Sequence, residues 1–148
     1  MGEKKVNGRK RHLLVDVLGL VIIAFVSPAN LADPVGGKRL FWRAIAKGLL
    51  RLQKVWTDSI YDVPWLHKLA KIGGWQVEVV KHSASVKGFV VLPRRWVVER
   101  TFAWLGRFRR LSKEYEVLPA SSEAFIYIAM IRLMLKRLAR SAHSVSSC

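Results

Sequence analysis

The chain has 148 residues, 51% of them hydrophobic, which is enough to bury one core and points to one domain. Twenty-six Lys and Arg stand against ten Asp and Glu, giving a net charge of +16 and a pI near 10.8, the footprint of a protein that meets phosphate polyanions. Cys148 is the only cysteine, so a disulfide framework and a multi-cysteine zinc site are both excluded and a reducing cytoplasm is the expected compartment.

Residues 1–11 carry Lys4, Lys5, Arg9, Lys10 and Arg11 with few apolar residues. This composition predicts a basic flexible arm, or the lead-in to a strand, that can lie on a phosphate backbone. His12 to Val26 is rich in branched side chains around Gly19, and predicts a hairpin turning at Val17 to Leu20. The apolar run Val17 to Val26 is about half the ~20 residues that a spanning helix needs, so neither a membrane span nor a targeting segment is expected.

Ser27 to Gly37 reads as a loop from Pro28, Asn30, Asp33, Pro34 and the Gly36-Gly37 pair. Lys38 to Leu52 has helical spacing of apolar residues. Val55 to Ser59 reads as a short strand that carries Asp58 at its end. Trp65 to Ile72 reads as a helix closed by Gly73-Gly74, and Trp75 to Val80 alternates as a strand does.

A short extended run, Phe89 to Leu92, then meets Pro93, and an Arg- and Trp-rich helix follows. With successive residues ~100° apart, Val97, Thr101, Trp104, Phe108 and Leu111 share one stripe, widened by Val98, Phe102 and Leu105. Opposite lie Arg95, Glu99, Ala103, Gly106 and Arg110, so Glu99 is one carboxylate among six arginines between Arg94 and Arg110. Ser121 to Arg140 predicts a last helix with an apolar seam at Ala124, Ile128, Ile131, Leu135 and Leu138, and residues 141–148 read as a disordered tail. The order of elements is that of an α/β domain built around one mixed sheet with flanking helices.

Two of the ten carboxylates carry the chemistry best. Asp58 ends a strand, where ligands of α/β sheets gather, and Glu99 sits on a helix face of small and cationic residues that an anion can approach. Two carboxylates brought together need a cation between them, and oxygen ligands suit Mg²⁺ or Mn²⁺, ions that serve in-line phosphoryl transfer. Structural readings compete with this one: Asp58 capping a turn, and Glu99 pairing with Arg95 one helical turn away. The four histidines show no metal-ligand spacing, the glycine pairs lack the spacing of a nucleotide loop, and the six tryptophans read mainly as core.

Four stretches carry a family resemblance: GRKRHLLVDVLGL (Gly8 to Leu20), SPANLADPVG (Ser27 to Gly36), KGFVVLPRRWVVERTFAWLGRFRRLSKEYE (Lys87 to Glu116) and SSEAFIYIAMIRLML (Ser121 to Leu135). Together they resemble insertion-sequence transposases of the IS-five group, above all in RRWVVERTFAWL. The resemblance implies a ribonuclease-H-like fold and DDE chemistry, in which two Asp and one Glu hold two Mg²⁺ while water, and then a DNA 3′-hydroxyl, attacks a phosphodiester. It maps the second Asp onto Asp58 in TDSIY, with Tyr61 kept and Ser59 and Ile60 in place of the family's two glycines. It maps the Glu onto Glu99 and the Arg four residues earlier onto Arg95, whose implied role is a phosphate contact. The Tyr expected before that Arg is Leu92, and the Lys expected after the Glu is Gly106, with Arg107 adjacent as its substitute.

The family's first Asp belongs to a strand upstream of the Gly8 segment, and Asp16 matches the strand that follows it. The expectation is therefore a carboxyl-terminal part of a transposase catalytic domain, with its first strand missing, a sheet edge open to another chain, and no activity by itself. Asp58 and Glu99 are the expected catalytic and metal-binding residues, with Mg²⁺ or Mn²⁺ as cofactor once the site is completed. Arg95, Arg107, Arg110, Arg9, Lys10 and Arg11 are the expected phosphate contacts. The expected partners are double-stranded DNA and another transposase chain, with no membrane, in a nucleoid-associated cytoplasmic setting. The alternative is a non-catalytic basic DNA-binding protein that modulates transposition.

Overall fold

The structure is a computed structural model that describes residues 8–80 and 95–145. Strands β1 (Arg9–Val15) and β2 (Val21–Pro28) form an antiparallel hairpin, as the branched residues around Gly19 predict. Asp16 sets the turn: its Oδ1 accepts from the backbone N–H groups of Leu18 (2.9 Å) and Leu20 (2.8 Å). Gly19 supplies the left-handed φ of 81° that the tight return needs.

Residues Ile23 to Ser27 of β2 are all buried, and the strand alternation sends them to two sides. Ile23 and Phe25 pack with Leu40, Phe41 and Ala44 of α1 (Asp33–Ala46), Leu66 and Leu69 of α2 (Pro64–Gly73), and Trp75. Ala24 and Val26 pack on the other side against Leu105 of α3 (Arg95–Gly106) and against Ile126, Ala129 and Met130 of α4 (Pro119–Val145). The hairpin is thus covered on both faces, which accounts for a β2 that is apolar at every position from Val21 to Val26.

Strands β3 (Lys54–Asp58) and β4 (Gln76–Val80) pair in parallel, joined by the α2 crossover that parallel pairing requires. Gly74, at φ 73°, closes α2 in the left-handed conformation that the Gly-Gly pair predicts.

The mixed α/β class holds, and among the described residues β1–β2 and β3–β4 form two separate two-stranded sheets where one mixed sheet was expected. Among the described residues each of β1 and β3 pairs on one edge only, and their other edges stand on either side of a cleft. The extended run Phe89 to Leu92 lies outside the described residues.

Helix α1 begins at Asp33, inside the stretch that composition assigns to a loop, and ends at Ala46 instead of reaching Leu52. Gly36 and Gly37 serve close approach here. A Cβ on Gly36 would stand 2.2 Å from His12 Cε1, and one on Gly37 would stand 2.6 Å from the Tyr61 ring. Gly36→Ala is therefore expected to cost about 2 kcal/mol through overpacking against His12, read as a lowered urea midpoint. Gly106→Ala, where an added Cβ meets nothing within 4 Å, is the control and should leave the midpoint within error.

At the termini, Arg9, Lys10 and Arg11 follow the strand alternative and belong to β1 instead of a flexible arm, and α4 continues through Val145 into the segment read as a tail. Along α4 the buried row is Ser122, Ile126, Ala129 and Met130, whereas Ala124, Ile128, Ile131, Leu135 and Leu138 are exposed. Both rows have helical spacing, and contact with Ala24 and Val26 of β2 decides between them. Of the tryptophans, Trp75 is core, while Trp42 and Trp96 are exposed at 48% and 42%.

Candidate active-site cleft

A cleft of about 610 Å³ runs between β1 and β3, closed at the sides by α1 and α3, and both Asp58 and Glu99 line it. Asp58 arrives there as the last residue of β3 and caps the 3-10 turn Ser59–Tyr61. Its Oδ1 accepts from Ser59 N (2.6 Å) and Ser59 Oγ (3.2 Å). The structural reading of Asp58 as a turn cap is thus realised, and the cap is what fixes the carboxylate at the cleft.

Glu99 is carried on the exposed side of α3, opposite the stripe of Thr101, Leu105 and Leu111 that the 3.6-residue period predicts to be inward. The helix is held by the hairpin tip: Thr101 Oγ1 donates to Gly19 O (2.7 Å) and Arg100 Nη2 donates to Leu18 O (3.0 Å). The Arg100 guanidinium also stacks over Trp96 and Trp104, 4.2 and 4.8 Å from the ring centroids. The turn chemistry of Asp16 and Gly19 therefore positions Glu99 from a distance.

Asp33 and His12 join the cleft lining and were not singled out by the sequence, and Tyr61, kept in the family motif, joins them. Asp33 lay in a stretch read as loop, and only the tertiary fold brings it to Tyr61. Burial raises the Tyr61 pKa above its ordinary value, and the negative charges of Asp33 and Asp58 raise it further.

His12 is buried, stacked on Phe25 at 5.7 Å, and its Nε2 shares a 3.0 Å hydrogen bond with Ser27 Oγ. Burial lowers its pKa below 6.5, an effect opposed by the Asp33 charge and reinforced by Lys10. A folded-state pKa below the unfolded one gives stability that is full above pH 6.5 and lost as pH falls through the folded value. The urea midpoint should accordingly decline on acidification below pH 6.5, and His12→Gln should flatten that part of the profile.

The expected phosphate contacts divide into two groups. Lys10 Nζ pairs with Asp33 (2.9 Å), Arg11 Nη1 donates to Leu111 O (2.7 Å), and Arg9 donates to Val117 O, so these three cations tie β1 to its surroundings. Arg110 Nε pairs with Glu116 at 2.6 Å, and with Arg109 and Tyr115 it lines a smaller hollow of about 380 Å³. Arg107 is exposed just beyond α3. Arg95 opens α3, and its side chain lies outside the described residues, as do Lys87 and Pro93.

Asp58 and Glu99 offer hard oxygen donors from two elements to one open cleft, a set that fits Mg²⁺ or Mn²⁺, which are held by one or two carboxylates while keeping several waters. Among the described residues no group of three or more His, Cys, Asp or Glu is close enough to hold a metal. The cleft thus carries Asp58 and Glu99 in one lining.

The sequence model of the transposase DDE domain matches residues 2–134. The chain belongs to that family. This DDE domain is 27% identical over 150 residues to a Burkholderia cepacia protein named "Putative transposase for insertion sequence element IS402", a match that covers 93% of this chain and 68% of that protein. No solved structure matches the DDE domain. None of its described helices is long and apolar enough to cross a membrane.

Proposed function

We propose that the chain is part of an IS-five-group transposase whose cleft takes DNA at Asp58 and Glu99, on a ribonuclease-H-like framework. The observation that carries the reading is the convergence of these two carboxylates, one from a strand end and one from a helix, on a single cleft in a member of the DDE family. Bound divalent ions would supply phosphodiester hydrolysis and strand transfer by stabilising the attacking and leaving oxygens.

In this reading Asp58 and Glu99 would hold the ions, the Ser59–Tyr61 turn fixes the Asp58 carboxylate, and the hairpin tip fixes the height of Glu99 along its helix. Arg107 and Arg109, both exposed beside α3, contact DNA phosphates, and Arg95 and Arg110 add to them. Double-stranded DNA is the partner, which the net charge of +16 favours.

Because Asp33, the third carboxylate of the cleft lining, is paired with Lys10 and no group of three or more His, Cys, Asp or Glu among the described residues is placed to hold a metal, the chain alone binds DNA and does not cut it. That same observation favours a second reading, a non-catalytic DNA-binding protein that modulates transposition. Incubation of the purified chain with supercoiled plasmid and Mg²⁺ tests the first reading, with retardation of the plasmid and no nicking expected. Robust nicking that Asp58→Asn abolishes would show the two-carboxylate site to be sufficient and overturn the claim of incompleteness. Anionic vesicles that bind the chain as tightly as DNA does would overturn the choice of partner.

A further inference from the structure

Helix α4 carries two apolar rows, and the fold uses one of them. Ser122, Ile126, Ala129 and Met130 are buried, the last three against Ala24, Val26 and Leu105. Ala124, Ile128, Ile131, Leu135 and Leu138 are exposed, the last four each by more than half. At ~100° per residue Leu135 lies about 180° around the helix from Ile126, so the second row looks straight away from the body of the domain. Single exposed apolar side chains are ordinary, but a contiguous ridge of branched ones marks a contact surface. None of these residues lines the cleft.

The spacing and the charge of the ridge say what covers it. From Ala124 to Leu138 the steps are four, three, four and three residues, the seven-residue repeat of a seam between two helices. A ridge of that repeat offers knobs and holes at the same intervals, so it is complementary to a copy of itself. The positions that flank such a seam beside Ile128 to Leu138 are Tyr127, Arg132, Met134, Ala139 and Ser141, with one charge among them in a chain of net charge +16. An acidic helix would find little at this rim to pair with, and a second copy meets little repulsion there. From Met134 to Ala142 every residue but the half-buried Arg137 is exposed. A short stretch of helix is marginal in water without a packed apolar face, and Leu135 and Leu138 are what this one has to pack.

We propose that the outer face of α4 pairs with the same face of a second copy of the chain, ridge against ridge about a two-fold axis. The ridge offers roughly 500 Å² per chain, less than the ~800 Å² per partner of a tight complex, so the pair exchanges readily, with a dissociation constant on the order of 10 μM. Well below that concentration the chains are single, and a substitution at Ile131 then touches exposed surface alone. The contact uses no residue assigned to DNA or to metal. It stands on α4, independently of the catalytic reading.

Sedimentation equilibrium of the full 148-residue chain, with Cys148 kept reduced and without DNA, reads the pairing between about 1 and 200 μM. The expected result is a mass that rises with concentration from 16.9 kDa toward twice that value. Pairing should tighten as salt is raised from about 50 to 500 mM, because screening removes the repulsion between two chains of charge +16 and leaves the apolar contact. Leu135→Glu should weaken it by at least about tenfold, and the uncharged Leu138→Gln should act in the same direction. Arg140→Glu, which puts the same carboxylate on the far side of the helix, should leave it within about twofold. The replaced side chains are exposed in the single chain, so at about 1 μM the three variants should keep the wild-type urea midpoint. A mass of 16.9 kDa throughout, pairing that weakens with salt, or equal losses from Leu135→Glu and Arg140→Glu would overturn the proposal. So would a monomer that binds anionic vesicles through Leu135, a result that gives the ridge to a lipid surface. Neither nucleic acid nor metal enters the experiment, so pairing upholds this inference whatever becomes of the catalytic reading.

Discussion

Between about 50 and 200 mM salt the affinity of the chain for duplex DNA is expected to fall by about three orders of magnitude or more, the loss that accompanies six to ten phosphate contacts. The net charge of +16 supplies the contacts, but the structure separates the cations that are available from those that are not. Arg11 and Lys10 are engaged within the fold, and Arg43 bridges Ala24 O and Glu123 at 2.9 and 2.8 Å. Arg107, Arg109, Lys113, Arg132, Lys136 and Arg140 are exposed. Arg107→Ala with Arg109→Ala should lower the slope of log affinity against log salt by about 2, uniformly across DNA sequences. An unchanged slope, measured by fluorescence anisotropy, would place the DNA surface elsewhere on the molecule.

Ile126→Ala is expected to destabilise the chain by about 3 kcal/mol, and Ile131→Ala by less than about 0.5 kcal/mol. Ile126 is 0% exposed and packs among Ala24, Val26, Leu105 and Met130, so its loss removes buried methylenes and leaves a cavity. Ile131 is 52% exposed on the opposite row of the same helix. Urea unfolding of the two variants reads the difference directly, and comparable losses for both would return the packed face to the row that spacing alone suggests.

Local chemistry was legible in the sequence wherever it decided the outcome. The β1–β2 hairpin follows from Gly19 and its branched flanks, and α2 with its Gly74 end follows from helical spacing and a terminal Gly-Gly. Asp58 and Glu99 could be singled out because a strand end and a helix face are properties of short segments. What was not legible depends on distant partners. Gly36 and Gly37 read as a turn until His12 and Tyr61 are seen pressed against them. The packed row of α4 is chosen by β2, more than ninety residues earlier in the chain, as the 2.9 Å bond from Val26 N to Glu123 Oε1 shows. The division into two half-sheets could not be read from strand patterns at all, because β1 and β3 each satisfy their alternation with one neighbour. Asp33 was hidden for the same reason as Gly36, since the helix that presents it to the cleft was read as loop.

The most direct measurement of the proposed site is Mn²⁺ binding to the purified chain, followed by water proton relaxation, for wild type, Asp58→Asn, Glu99→Gln and the double variant. If the two carboxylates share an ion in the cleft, each single change weakens binding by at least about tenfold and the double change adds little to either. Affinity that is unchanged by the single substitutions, or losses that simply add, would show that Asp58 and Glu99 do not form one metal site.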